Sequence, residues 1–460
     1  MDKEILAKAS SLIELTNGNI CNHCLGRKFS DVVEGNGNVE RGEKIRKALE
    51  LPEYDEDTKC DICSDIFKEI DSSLLDLVCE KIDFLEVEFD TFVVGCKLPK
   101  EMVEKDAEIS EKLGLDVEIL KREVNREMGK LLEKNLSQEV DFDKEDVTIM
   151  ADFRKFLRDD VEILKREVNR EMGKILEKNL PQEVDFDKED VIIMADFRRM
   201  LKEDVENPVQ VRIQINPIFI EGRYNKLVRN IPQTKWPCRK CKGRGCEACN
   251  FTGKQYPESV EELLSQTALK YSKGYEAKFH GAGREDIDVR MLGDGRPFVL
   301  EIKEPRIRKL DLEKIEREAN EAALGKTAYH NLKYTVRKRK AEIKTSSPDT
   351  YKVYRALVEC EDEIREEDLD KLQSLHTIQQ RTPIRVSHRR ADKIREKEVK
   401  ELSCKYINPH SFEMIIKTEG GLYIKELISS DEGRSKPSVS EVLGTQAICA
   451  ELDVIEVGIK

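Results

Sequence analysis

Eight of the thirteen cysteines in this 460-residue chain fall into four Cys-x-x-Cys pairs: Cys21/Cys24, Cys60/Cys63, Cys238/Cys241 and Cys246/Cys249. Each pair puts two thiolates on one turn, and two pairs complete the tetrahedral four-sulfur shell that zinc prefers. The first two pairs stand about forty residues apart, and a metal between them would pin an N-terminal region whose own core is modest. The other two are separated only by Lys-Gly-Arg-Gly, whose glycines permit a compact knuckle. Ferredoxin-type clusters use a different spacing, which favours structural zinc, at one or two sites, over iron–sulfur. Arg239, Lys240, Lys242 and Arg244 decorate the knuckle, either as a cationic probe for phosphates or simply as a well-solvated surface.

A second segment with chemical content spans residues 280–298 and reads HGAGREDIDVRMLGDGRPF. Glycines at 281, 283, 293 and 295 accompany an unusual density of carboxylates beside arginines. On a strand, Asp286 and Asp288 would face opposite sides. The chain has no Walker-type phosphate loop and no glycine-rich loop after a strand that would suit S-adenosylmethionine, so no nucleotide cofactor is expected.

The elements that must position these residues follow from periodicity. DVEILKREVNREMGK begins at Asp116 and again at Asp160, and the copies 116–159 and 160–203 differ at about seven positions over roughly forty-four. Each reads as an amphipathic helix (Val117, Leu120, Val124, Met128, Leu131 and Leu132 in the first) followed by a short apolar strand at 147–150. Two units are too few for a solenoid, so the repeat reads as a local duplication. An alternating run from Leu85, LEVEFDTFVV, predicts a strand, as does VQVRIQI from Val209. Ser259 and Glu262 predict a capping box for a helix carrying Leu263, Leu264 and Leu269. Further strands are predicted at 275–280, 297–303, 351–358, 412–417 and 454–459. The fold class is therefore α+β, with several antiparallel-looking strands in the C-terminal half.

Composition limits the partners. Charged residues make up 38% and aromatics 6%, which suits solvated surfaces, and no window of eighteen apolar residues exists to span a membrane. The N-terminus lacks the basic start and apolar run of a signal peptide, so a cytoplasmic protein is expected. A net charge of −13 argues against indiscriminate nucleic-acid binding. However, the duplicated copies carry part of that acidity, and local basic clusters exist at 326–344, with Tyr329 and Tyr334 among them, and at Arg385, His388, Arg389 and Arg390.

Gly283-Arg284-Glu285-Asp286 resembles the Gly-Arg-x-Asp or His-Arg-x-Asp core of pseudouridine synthases. The blocks EGRYNKLVRNIPQTKW from Glu221, GREDIDVRMLGDGRPF, YKVYRALV from Tyr351, TPIRVSHRR from Thr382, and GGLYIKEL with DEGRSKPS from Gly420 are similar, in that order, to the archaeal and eukaryotic tRNA pseudouridine 54/55 synthase family. The resemblance covers nearly all of residues 207–460, and the N-terminal zinc pairs fit it too. It implies a zinc-bearing region at 1–75, a THUMP-type RNA-binding domain at 76–230 interrupted by the duplication, and a catalytic domain with a mixed, largely antiparallel sheet at 231–460. It further implies a monomer acting on the T-loop of tRNA at uridines 54 and 55, without any cofactor for catalysis.

By the same resemblance, Asp286 would be the nucleophile, Arg284 would enter the space vacated by a flipped base, and Tyr354 would stack on that base, with Tyr351 a weaker claimant. Lys425 would hold Asp286 charged and oriented. Leu427 would wall the uracil ring, and Tyr423, Arg385, His388, Arg389 and Arg390 would bind substrate. The chemistry asks little more: a free aspartate side chain is an anion at neutral pH and can attack the sugar or take a proton from it. A zinc-containing tRNA-binding protein or chaperone without chemistry is the alternative expectation.

Overall fold

The computed structural model describes residues 1–55, 58–70, 72–89, 92–115, 119–136, 147–152, 191–196, 210–345 and 350–458. The chain forms two compact units, one of residues 1–217 with 303–308, the other of residues 218–302 with 309–460. Among the described residues, no helix is long and apolar enough to cross a membrane.

In the first unit one apolar core runs from Ala9 and Leu12 through Cys24, Ile66 and Val78 to Phe92, Val124 and Met128. The predicted helix of the first repeat copy spans Leu120–Leu136, and its 3.6-residue period buries Leu120, Val124, Met128 and Leu132 on one face. Val117 lies outside the described residues. Four strands complete this unit: β1 (Phe92–Lys97), β2 (Val147–Asp152), β3 (Val191–Asp196) and β4 (Gln210–Ile215). The strand predicted from Leu85 is displaced: a helix occupies Ser72–Leu85, because Leu74 and Val78 bury at helical spacing, and extended pairing begins only at Phe92. β2 and β3, the equivalent strands of the two copies, share a register. Ile149 and Ile193 both pair with Val94 in β1 and with Ile213 in β4.

The second unit is built on a ten-stranded, mostly antiparallel sheet. Its strands are β5 (Ile218–Lys226), β6 (Glu276–Gly281), β7 (Arg290–Lys303), β8 (Thr327–Thr335), β9 (Tyr351–Cys360), β10 (Thr377–Arg381), β11 (Ile394–Asn408), β12 (Ser411–Glu419), β13 (Ser435–Lys436) and β14 (Ala447–Val457). The order is β13-β10-β11-β12-β9-β14-β7-β5-β8, with β6 joined to β7. β14 and β7 run parallel over Asp453↔Arg290 and Val454↔Met291. β9 is central, flanked by β12 and β14 and buried through Ala356 and Val358. β7 begins seven residues earlier than predicted. There Gly293 and Gly295 hold positive φ, and a Cβ would meet Ile455 O at 2.0 Å or Tyr224 O at 2.7 Å. Only glycine lets β7 pass that closely. Ser259 caps the helix Val260–Ser272, its hydroxyl accepting from Glu262 N at 3.2 Å, as the capping box predicts.

Candidate active site

The loop between β6 and β7 is held from behind. Glu285 is buried, accepting from Arg296 Nε at 3.0 Å and from Tyr224 Oη at 2.8 and 3.0 Å, while Arg296 Nη1 donates to Ala282 O at 3.0 Å. Lys226, fully buried on β5, donates to the carbonyls of Asp286 (2.9 Å), Ile287 (3.2 Å) and Ile231 (3.0 Å). Burial pulls the Lys226 ammonium down to about 8, with Glu285 opposing. Glu285 thus turns inward and locks the loop, and its neighbour Asp286 is left on the wall of a cleft of about 130 Å³. Sequence reasoning passed over Lys226, Glu285 and Arg296, whose roles depend on contacts across strands.

Asp286 Oδ2 receives Arg385 Nη1 at 2.9 Å, whereas Lys425 Nζ stands 3.9 Å away. Lys425 instead donates to Asp288 Oδ2 at 2.6 Å. Burial opposes ionisation of Asp288, but the Lys425 hydrogen bond outweighs it and holds the carboxyl below its usual range. The two aspartates are not on opposite faces of a strand. Residues 287 and 288 form a turn, Val289 N bonding Asp286 O at 3.1 Å, so both carboxylates reach Lys425. The closest cation on Asp286 is therefore Arg385, not Lys425. Arg385 is steadied in turn by buried Glu426, to which its Nε donates, and by the Tyr423 ring 5.8 Å below its guanidinium.

Tyr354, on β9, lines the same cleft. Burial pushes its phenol up to about 12, Arg296 opposing and Asp286 adding to the shift. Arg284 is exposed at the rim and makes no ion pair with Glu285 or Glu301; its guanidinium lies 5.9 Å from the ring centre of Trp236. Tyr423 and Arg390 also line the cleft. His388 is exposed outside it, and the side chain of Arg389 lies outside the described residues. Tyr351 faces elsewhere and bonds Glu456. Leu427 is fully buried and does not line the cleft; Leu422 and Ile424 do. The helix Ile424–Ser429 explains this, since its turn carries Leu427 and Ile428 into the core.

The basic stretch 326–344 is largely neutralised. Lys333 and Arg339 pair with Glu221 at 2.9 and 2.7 Å, and Lys340 with Glu301 at 3.1 Å. Tyr329 is buried with its hydroxyl donating to Val260 O at 2.6 Å, so it offers no face to a base.

Both cysteine sets fit zinc. Sγ–Sγ separations are 3.7 Å for Cys21–Cys63, 4.0 Å for Cys238–Cys246, 3.9 Å for Cys241–Cys249 and 3.7 Å for Cys246–Cys249. A tetrahedron with Zn–S near 2.3 Å has an edge of about 3.8 Å. Backbone N–H groups of Gly245 and Gly253 donate to Cys241 and Cys249 Sγ at 3.1 and 3.3 Å, as thiolate ligands require. A further cluster, His23 with Glu123 and Glu127, is already paired internally and with Arg126 and Lys130.

Comparison with known proteins gives these features a context. The family model described as "Pus10, C-terminal" matches residues 219–458, and that described as "Pus10 THUMP domain, archaeal" matches residues 75–152 and 153–196. A protein of Methanothermobacter marburgensis named tRNA pseudouridine synthase Pus10 is 47% identical over 455 residues, 99% of either chain. Like-named proteins of Methanosphaera stadtmanae and Methanocaldococcus jannaschii are 39% identical over 96% of either chain and 57% identical over 54% of either chain. The protein is thus an isomerase of the pseudouridine synthase class, which sets aside the expectation of a binding protein without chemistry. The chain belongs to the Pus10 family of tRNA pseudouridine synthases.

Proposed function

We propose that this enzyme converts uridines 54 and 55 in the T-loop of tRNA to pseudouridine, with Asp286 as the nucleophile. The observation that supports this reading best is the carboxylate of Asp286 on the cleft wall, 2.9 Å from Arg385, with Tyr354 lining the same small space. A uridine stacked in a folded loop must first be extruded, at a cost of a few kcal/mol. Arg284, exposed at the rim and tied to no acid among the described residues, is placed to follow the base out and hold the gap. Tyr354 offers its ring to the flipped uracil. The carboxylate of Asp286 then attacks the ribose, or takes a proton from it; the glycosidic bond breaks, its electron pair leaving with the base, the base turns, and carbon 5 bonds to the sugar as Asp286 is released, after which carbon 5 loses its hydrogen to solvent and N1 takes up a proton. Arg385, 2.9 Å away, holds the carboxylate in place for the first of these steps. Zinc, where bound, holds the Cys21/Cys24/Cys60/Cys63 region and the 238–249 knuckle in shape; neither set contributes a group to the cleft lining.

The test is an unmodified tRNA transcript carrying tritium at carbon 5 of uridine, incubated with the protein alone. Label release, lost only when both T-loop uridines are replaced, is the expected result. No release, or release that survives that replacement, refutes the reading.

A further inference from the structure

Among the described residues, the buried lysines are satisfied with one exception. Lys28 reaches Asp106 and Ser110, and Lys226 reaches three backbone carbonyls. Lys352 is 9% exposed, yet its ammonium makes no hydrogen bond or ion pair among the described residues. It lies on β9 between Thr418 of β12 and Val457 of β14, two residues from Tyr354 and therefore on the same face, and it lines the catalytic cleft with Tyr354 and Asp286. A lysine this little exposed is rarely left without a partner, and here the ammonium opens only to the cleft. Glu285, the acid that acts on it, is already occupied by Arg296 and Tyr224 and makes no ion pair with it, so the cleft carries an ammonium without a hydrogen-bonded anion.

The reaction supplies the missing anion. When the C1′–N1 bond breaks, its electron pair stays with the base, and the resulting uracilate spreads its charge over N1 and the carbonyl oxygens. This holds whether Asp286 forms a bond to C1′ or removes a ribose proton. The phosphates remain with the RNA strand at the rim, where exposed Arg284 and Arg390 lie. The floor has room for about one ring: a cleft of 130 Å³ compares with the roughly 150 Å³ that houses a benzene.

We propose that Lys352 is a catalytic residue whose ammonium donates a hydrogen bond to a carbonyl oxygen of the flipped uracil and stabilises the departing uracilate. The proton stays on the lysine throughout, so no co-reactant is needed. The proposal rests on the reading of Asp286 and the cleft given above. Burial pulls the Lys352 ammonium down to about 8, with neighbouring Arg296 adding and Glu285 opposing. The active, protonated form is therefore lost as pH rises through that value.

The experiment compares wild type, Lys352→Met and Lys352→Arg by single-turnover tritium release, tRNA affinity and thermal melting. Removing one preorganised donor costs on the order of 10²–10³ in rate. Lys352→Met is expected to lose about 100-fold in rate, with tRNA affinity and melting temperature held. Lys352→Arg should retain more activity than Met and lose the decline that wild type shows above pH 8. A Met variant within threefold of wild type overturns the proposal, as does a rate loss matched by a fall in melting temperature. A wild-type rate that climbs through pH 8 would make Lys352 a base and contradict it too. Failure of wild type itself to release label overturns the underlying reading as well.

Discussion

Arg385 and Lys425 both reach the carboxylates of the loop, but at distances that assign them different work. Arg385 stands 2.9 Å from Asp286, while Lys425 spends its shortest contact, 2.6 Å, on Asp288. Arg385→Met should therefore lower the rate of isomerisation by about 100-fold, the scale of losing a reacting group's alignment, and Lys425→Met by less. Rate constants for the two variants at saturating tRNA check this; a larger loss at Lys425 would reverse the assignment. The cysteines and Asp286 were legible as residues because each sits in a local motif whose spacing carries meaning. Arg385 was legible only as a basic residue in TPIRVSHRR, since its carboxylate partner lies ninety-nine positions away. Leu427 misled for the converse reason: its motif placed it near the site, while helical turn geometry buried it.

At the scale of elements, the duplication is the feature that most needs a physical account. β2 and β3 pair with the same residues of β1 and β4, so both copies present the same strand to the same neighbours. The helix positions buried in the first copy, Leu120, Val124, Met128 and Leu132, recur unchanged as Leu164, Val168, Met172 and Leu176. β2 alone already pairs with β1 over residues 92–97 and with β4 over residues 211–215. Deleting residues 160–203 is expected to leave a folded, active enzyme that unfolds in one cooperative transition, with β2 keeping its pairing to β1 and β4. Denaturant unfolding of the deleted chain checks this, and loss of a cooperative transition would refute it. Strands with clean alternation, such as β9 and β12, were readable in sequence. The stretch after Leu85 was not, because its alternating charges continue past the end of a helix whose apolar spacing decides the outcome.

For the whole molecule, net charge was a poor guide to RNA binding, and the structure shows why. In the basic stretch 326–344, Lys333, Arg339 and Lys340 are answered by Glu221 and Glu301, whereas Arg284, Lys352, Arg385, Arg390 and Lys425 line the cleft. Segments far apart in the chain supply that cleft: 284–289 from the loop, Lys352 and Tyr354 from β9, Arg385 and Arg390, 422–425, and Leu452 with Val454 from β14. The order of these blocks was visible in the sequence, but their convergence depends on a sheet that interleaves β14 between β9 and β7. The account stands on the ionised oxygen of one side chain, and Asp286→Asn removes that charge at nearly constant shape. With tritiated tRNA and a parallel binding measurement, the variant should bind as wild type does and release no label. Label release near the wild-type rate would contradict the mechanism at its root.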